Sequence, residues 1–439
     1  GRGNSMGKRF TGVTAALLGM ALISGCGGGS ASGGDGGEGA GGKKTLEFWG
    51  WAPGYEKSAA LWNATHPDVQ VSFKTIPAGA KGGYEKMFSA VKAGNAPCLA
   101  QVGFESVPTF LAEGALENIA PHVGDTAEQF SDFAWNQVSY GDQVIGIPVD
   151  VGPQALFYRK DVFAKFGIAP PATWAEFKAA AEKLRKADSS YALTNFSTES
   201  YWFGGLVSQA GGQWFRTTGD SWKVGFDGPE SKKVADYWQD LVDRKLVTTE
   251  TPWSPEWLKG LSSGRTAAAV GAVWMAGVLT ENAKDSAGKW AVAPMPQWEK
   301  GGKAAGNEGG STTAVVKGCE NTKEAAEFAT WMSTDPKSLA NLITVTGIYP
   351  AATSGRDLPE ANKPVKYFGG QKIYDVFNEA AARTDPDWKW GPVMTQAATT
   401  FQDAFGKAVG DGSSFSGTLD LVQDKVVADY RAKGLSIAD

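Results

Sequence analysis

The feature that most constrains the fold is an alternation, from residue 45 onward, of short apolar segments with strand chemistry and longer segments with helical periodicity. One strand-type segment, 69–75 (VQVSFKT), alternates apolar and polar side chains, as a half-buried strand does. The other strand-type segments are 45–49, 99–103 and 144–149. Between the first two strands, 54–66 is typical of a helix that ends before Pro67. This alternation predicts an α/β fold.

Three later segments have the pattern of amphipathic helices. Thr173–Glu176 (TWAE) is a capping box, in which the threonine hydroxyl and the glutamate carboxylate satisfy free N–H groups of the first helical turn. It opens a predicted helix that reaches about Ala187. The segments 229–244 and 322–333 predict two further helices with one apolar face each.

Length and composition exclude several classes of function. A chain of 439 residues suggests two or three domains. The net charge of −5 argues against a nucleic-acid partner. The two histidines, His66 and His122, belong to no cluster with metal-ligand spacing, so we expect neither a metal site nor a cofactor.

The N-terminal region has the organisation of a targeting segment. Lys8 and Arg9 precede an apolar run, 10–23, which is too short to remain as a membrane span. The run ends at Cys26, and the junction resembles the cleavage box of bacterial lipoproteins. We therefore expect residues 1–25 to be a lipoprotein signal peptide, and 26–44 to be the lipidated Cys26 with a flexible Gly/Ser linker. A plain signal peptide with a chance cysteine is the alternative.

The cysteine count fits this interpretation. Three cysteines are present, and lipidation of Cys26 leaves Cys98 and Cys319 as a possible pair. A disulfide is expected of a protein exported to an oxidising compartment. Two buried free thiols are the alternative.

Several segments, in order, resemble the family 1 extracellular solute-binding proteins, the maltose-binding-like group. The segments that carry the resemblance are 46–51 (LEFWGW), 92–102 (KAGNAPCLAQV), 146–163 (GIPVDVGPQALFYRKDVF), 167–177 (GIAPPATWAEF), 226–230 (FDGPE), 259–274 (KGLSSGRTAAAVGAVW) and 323–332 (KEAAEFATWM).

The resemblance implies a two-lobe fold of the periplasmic-binding-protein type, each lobe a sheet flanked by helices, with the ligand cleft between the lobes. By analogy, lobe 1 comprises 45–150 plus 291–346, and lobe 2 comprises 151–290 plus 347–439. The expected protein is a monomer anchored by lipid at the extracellular face of the bacterial cytoplasmic membrane. It captures a sugar or oligosaccharide and delivers it to the permease subunits of an ABC transporter.

The surplus of aromatic residues supports a sugar ligand. The chain has 17 tryptophans, and flat rings cover the apolar face of a pyranose while carboxylates and amides hold its hydroxyl groups. Candidate contacts lie where the resemblance places segment ends in the cleft. They are Trp49, Trp51, Glu105, Asp150, Trp202, Trp274, Gly309, Gly310, Trp388 and Trp390. Asp150 is the foremost polar candidate, and one of the loop residues Trp388 and Trp390 is expected to face the ligand.

Catalysis finds little support in the sequence. Residues 260–264 (GLSSG) match the G-x-S-x-G pattern, but a helix is predicted before them and a strand after them, the reverse of a nucleophile elbow. We therefore expect no enzyme. The main alternative is a surface-anchored protein that binds or processes glycans without transport, and peptide or polyamine ligands are further options.

Overall fold

The structure is a computed structural model that describes residues 42–439. The predicted signal peptide, Cys26 and the linker as far as residue 41 lie outside the described residues. The described strands are β1 Lys44–Gly50, β2 Val69–Thr75, β3 Leu99–Gly103, β4 Ser139–Tyr140, β5 Gln143–Val144, β6 Gly146–Arg159, β7 Phe215–Thr218, β8 Ser221–Val224, β9 Ala268–Ala272, β10 Trp290–Pro294 and β11 Asn307–Val315.

The described α-helices carry most of the remaining ordered chain. They are α1 Tyr55–Thr65, α2 Gly83–Ala93, α3 Val107–Ala112, α4 Asp132–Asn136, α5 Lys160–Lys165, α6 Trp174–Ala187, α7 Ser200–Gln209, α8 Pro229–Asp243, α9 Pro255–Ser263, α10 Met275–Asn282, α11 Thr322–Thr334, α12 Pro336–Asn341, α13 Ile373–Ala382, α14 Met394–Asp411 and α15 Phe415–Ala432. The strands and helices predicted at 45–49, 54–66, 69–75 and 99–103 are confirmed as β1, α1, β2 and β3.

The threonine arm of the predicted capping box is confirmed, whereas the glutamate arm reaches the residue before the N-cap. The hydroxyl of Thr173 accepts a hydrogen bond from the Glu176 backbone N–H at 3.0 Å, and the Glu176 carboxylate accepts one from the Ala172 N–H at 2.8 Å. The first contact satisfies a donor that the first turn of α6 leaves free, and the second ties the chain before the N-cap to the same turn.

Seven strands form one sheet, in the order β10-β6-β11-β3-β1-β2, with β9 also paired to β6. β1 runs parallel to β2 and β3, whereas β11 runs antiparallel to β3 and β6. Because parallel strands end at the same edge of a sheet, the chain after β1 and the chain after β3 emerge side by side.

β6 is longer than the predicted strand at 144–149. It runs for 14 residues, through Gly152 and Pro153, because its two halves have different partners. Its first half pairs with β11, and its second half, from Gln154, pairs with β9 and β10. The predicted lobe boundary at 150/151 falls inside β6, and the one at 290/291 falls inside β10. The division into lobes by residue range stays a prediction.

A disulfide joins Cys98, directly before β3, to Cys319, which follows β11. The two Cα atoms are 4.7 Å apart, although 221 residues separate the cysteines in sequence. The predicted pairing is therefore confirmed.

The described part of the chain contains neither a membrane-spanning helix nor a cluster of potential metal ligands. None of the helices between residues 42 and 439 is long and apolar enough to cross a membrane. Within the same residues, His, Cys, Asp and Glu side chains form no cluster of three or more that could hold a metal ion.

Candidate functional site

A cavity of about 430 Å³ lies where β1 and β3 end and where β11 is irregular. Its volume is in the range of small-molecule sites, about 300–1,000 Å³. Segments far apart in sequence meet there, from the ends of β1 and β3 to helix α14. The lining residues are Trp51, Tyr84, Gly103, Glu105, Glu199, Ser200, Tyr201, Trp253, Trp274, Glu308, Gly309, Gly310, Ser311, Ala398 and Gln402.

Two glycines shape the β11 side of the cavity. The pairing of β11 with β6 shifts register between Asn307 and Gly310, and Gly309 and Gly310 have φ of 79° and 108°. These values favour glycine. A Cβ on Gly310 would also lie 2.5 Å from a ring carbon of Phe104. Only glycine at position 310 therefore allows the backbone of β11 to come this close to the Phe104 ring.

Two tryptophans form the aromatic face of the cavity. The rings of Trp253 and Trp274 lie 5.9 Å apart, centroid to centroid, at an interplanar angle of 26°. The Trp253 indole N–H donates to the Glu199 carboxylate at 3.0 Å. Trp253 is 48% exposed and has φ of 71°, an uncommon conformation for a bulky residue. On another side, Trp51 and Tyr84 meet edge to face at 5.8 Å.

Three glutamates line the same cavity. Burial raises the pKa of Glu105 to about 7, with hydrogen bonds from its own backbone and from Ser106 acting against it. Burial, together with the nearby charge of Glu199, raises the pKa of Glu308 to about 8. Burial raises the pKa of Glu199 as well, although the hydrogen bond from Trp253 lowers it.

No positively charged side chain in the cavity lining balances these carboxylates. Among the lining residues, all of which lie in the part that the structure describes, there is no Lys, Arg or His. The cavity is therefore rich in hydrogen-bond acceptors and poor in fixed positive charge.

Ser200 adds a free hydrogen-bonding group. Its side chain is 2% exposed, and its Oγ has no hydrogen-bond partner among the described residues. The residue lies at the first position of α7 and lines the cavity. A buried hydroxyl without a partner is unfavourable, so a ligand hydroxyl that reached it would satisfy it.

Five of the predicted contacts line this cavity: Trp51, Glu105, Trp274, Gly309 and Gly310. Asp150 is half-buried and does not line the cavity, but its carboxylate accepts a hydrogen bond from the hydroxyl of Ser311, which does. Burial raises the pKa of Asp150 to about 6, and the contacts with Ser311 act in the opposite direction. Asp150 thus orients a residue that lines the cavity.

The structure places two further predicted contacts, Trp49 and Trp202, in the core. Trp49 is 7% exposed and lies under the ammonium groups of Lys74 and Lys86, which are 5.1 and 5.3 Å from its ring centroid. Trp202 packs against Trp238 and donates its indole N–H to the carbonyl of Val270 at 2.8 Å. Neither side chain lines the cavity.

The loop tryptophans Trp388 and Trp390, one of which was expected to face the ligand, are also buried, and neither lines the cavity. They pack edge to face on each other at 5.3 Å, and Trp388 lies 5.7 Å from Trp214. Gln137 donates to the carbonyl of Trp388 at 2.6 Å. Their segment lacks helical periodicity, but it is covered by tertiary packing.

Sequence reasoning missed several lining residues, notably Tyr84, Glu199, Tyr201, Trp253 and Glu308. A signal was available for Glu308, which directly precedes the glycine pair at 309–310. Trp253 lies between Pro252 and Ser254-Pro255, so the loop criterion that selected Trp388 and Trp390 would also have selected it.

Solved structures with a similar fold include sugar-binding proteins of ABC transporters. The galacto-N-biose-/lacto-N-biose I-binding protein of the ABC transporter from Bifidobacterium longum superimposes with a TM-score of 0.80 and 28% identity, over 91% of this chain and 100% of that one. The ABC transporter associated binding protein from B. animalis subsp. lactis, solved with β-1,6-galactobiose, superimposes with a TM-score of 0.77 and 28% identity. This match covers 90% of this chain and 100% of that one. The predicted two-lobe α/β fold class is confirmed.

Sequence comparison agrees. The arabinooligosaccharide-binding protein of Bacillus subtilis is 24% identical over 83% of this chain and 86% of its own. The lactose-binding protein of Rhizobium radiobacter is 24% identical over 88% of this chain and 93% of its own. Residues 49–337 match the family described as bacterial extracellular solute-binding protein. The chain belongs to this family of bacterial extracellular solute-binding proteins.

Proposed function

We propose that this protein binds a sugar in the cavity described above, as the solute-binding component of an ABC importer. One observation carries the proposal, the pairing of the Trp253–Trp274 aromatic face with the carboxylates of Glu199 and Glu308. A pyranose needs this combination, since its C–H face is apolar and its edge carries hydroxyl donors.

The protonation of the cavity suits a neutral polyol. Glu105 and Glu308 have pKa values raised to about 7 and about 8 by burial, so each is able to donate as well as accept near neutral pH. Ser200 and Gln402 add a hydroxyl and an amide from two other helices. A sugar hydroxyl is both a donor and an acceptor, and it matches such a lining.

The relatives support the same class of ligand. Proteins similar to this chain are named for arabinooligosaccharides, lactose and maltodextrin, and the most similar structures reported above contain lacto-N-biose and β-1,6-galactobiose. All of these are neutral saccharides of two or more units.

Anchoring and delivery complete the proposal. Cys26 carries the lipid, the chain works as a monomer at the outer face of the cytoplasmic membrane, and it passes its ligand to the permease subunits. Membership of an extracellular solute-binding family supports the location outside the cell, and the apolar run that leads to Cys26 supports the anchor. A glycan-processing role is less favoured because the relatives reported above are named as binding proteins.

The test is isothermal titration calorimetry with a panel of arabinooligosaccharides, lactose, lacto-N-biose, β-1,6-galactobiose and maltodextrins. Trp274→Ala should weaken the best ligand about 3- to 10-fold, since a stacked ring contributes about 0.5–1.5 kcal/mol beyond burial. Trp135→Ala, which removes a half-buried ring outside the cavity lining, is the control. Saccharides that are shortened during incubation would instead support an enzyme, and absence of binding to every sugar would refute the proposal.

A further inference from the structure

A second cavity, of about 510 Å³, lies on the other side of Tyr84. Tyr84 lines both cavities, so its side chain is a shared wall. Its hydroxyl accepts a hydrogen bond from the Gly103 N–H at 2.9 Å, and its ring meets Trp51 on one side and Phe110 on another, edge to face in both cases. These contacts fix the position of the wall.

Two other parts of the chain border both cavities. Glu105 lines the first cavity and the next residue, Ser106, lines the second. On helix α14, Ala398 and Gln402 face the first cavity, whereas Thr395 and Thr399 face the second. Residues four apart share a helix face, so the two cavities lie against adjacent faces of one helix. The cavities are neighbours along a single surface.

The second cavity shares hydroxyl, amide and aromatic groups with the first, and Glu85, Asp403 and Lys425 add charged groups of both signs. Hydroxyl groups of Ser106, Thr109 and Thr399 and the amide of Gln396 line it, and the half-buried ring of Phe88 adds a flat apolar face. Its one lining cation, Lys425, is paired with Asp429. Hydroxyl and amide groups beside an aromatic ring are the same elements that the first cavity offers to a sugar.

Backbone strain marks both cavities. Within residues 42–439, the non-glycine residues with positive φ are Lys245, Trp253 and Val393. Trp253 lines the first cavity and Val393, with φ of 62°, lines the second. The Val393 N–H donates to the Thr109 hydroxyl at 3.1 Å, which holds the start of α14 against α3. A β-branched residue in this conformation is a genuine outlier, and such strain concentrates at functional sites.

We infer that the ligand is a saccharide of three or more units, which passes Tyr84 and fills both cavities. This inference rests on the proposed function. The first cavity holds the units stacked on Trp253 and Trp274, and the second holds the remaining units along the exposed face of α14. A disaccharide occupies the first cavity alone.

The experiment measures affinity against chain length. Calorimetry uses arabino-, galacto- and malto-oligosaccharides of two to six units, and the series that binds is carried forward. We expect the four-unit member to bind at least tenfold more tightly than the two-unit member. Thr399→Trp fills the second cavity from an exposed helix position. It should weaken the four-unit ligand about tenfold and change the two-unit ligand less than twofold.

Lys407→Trp is the matched control, because it lies on the exposed side of the same helix and lines neither cavity. Gln396→Trp, another exposed lining position, repeats the test should Thr399→Trp not fold. Equal affinity for two and four units, or a Thr399→Trp protein that binds four units like the parent, overturns the inference and leaves sugar binding intact. Failure of every sugar to bind overturns the proposed function as well.

Discussion

The replacement Glu308→Gln tests the electrostatics of the cavity without any ligand. Glu308 is 4% exposed, and its carboxylate is near that of Glu199. Gln154 Nε2 lies 3.4 Å from Glu308 Oε1, while Gln154 Oε1 has no hydrogen-bond partner among the described residues. A glutamine at position 308 removes the ionisable group and offers a donor to that free acceptor.

The size of the expected stability change follows from the raised pKa of Glu308. Burial raises the pKa of Glu308 from 4.5 to about 8. One pKa unit corresponds to about 1.4 kcal/mol, so ionisation of the folded protein costs at most roughly 4–5 kcal/mol. Because the folded-state pKa is the higher one, the folded protein binds the proton more tightly, and the free energy of unfolding falls as pH rises from 4.5 to 8. Below pH 4.5 Glu308 stays protonated and the folded protein bears no ionisation cost. Above pH 8 the folded protein bears the full cost.

We therefore expect Glu308→Gln to match the parent near pH 4.5 and to exceed it in free energy of unfolding by about 2–4 kcal/mol at pH 9. The assay is urea denaturation of both proteins across this range, followed by circular dichroism. Glu47→Gln, an exposed glutamate in β1, should change neither stability nor its pH dependence. A constant difference between Glu308→Gln and the parent at every pH would refute the reasoning, because Glu105 and Asp150 are present in both proteins and Glu308 only in the parent.

Three further predictions concern other parts of the chain. Cys98→Ser removes the disulfide and should lower the free energy of unfolding by about 2–4 kcal/mol in urea denaturation; an unchanged midpoint would contradict a bridged Cys98–Cys319 pair. Gly310→Ala should lose most sugar affinity in calorimetry and destabilise the fold by about 1–3 kcal/mol, since φ of 108° and the Phe104 ring both exclude a Cβ; parent-like binding would show that β11 adapts. Cys26→Ala should leave the protein in the medium or unprocessed, and a mutant that stays in the membrane fraction at mature mass would disprove the anchor.

The fold was predictable where local chemistry and tertiary packing agree. The capping box at Thr173 and the alternation in 69–75 determine α6 and β2 directly. β6 extends beyond the predicted strand at 144–149 and includes Gly152 and Pro153, two residue types that normally interrupt strands. In the structure the Gly152 N–H donates to Asn307 at 2.8 Å, and the strand continues because it gains new partners beyond that point.

The site was predictable only in part, for a related reason. Contacts at strand ends, such as Trp51 and Glu105, follow from topology. Burial of a loop tryptophan does not, because Trp388 is covered by residues distant in sequence, such as Gln137. The same limit applies to Trp253, whose exposure depends on how the chain before α9 meets α10.

The disulfide also bears on the shape of the cavity, although neither cysteine lines it. β3 and β11 pair from Leu99 with Val315 to Gly103 with Ser311, so the bridge closes one end of a ladder whose other end is part of the cavity wall. The two ends are about 13 Å apart at about 3.3 Å per residue. A slip of one residue would exchange the two faces of β11 and remove Gly310 from its place against Phe104. The covalent link acts together with the ladder hydrogen bonds to oppose that slip, so the disulfide helps to maintain the shape of a cavity whose lining contains no sulfur.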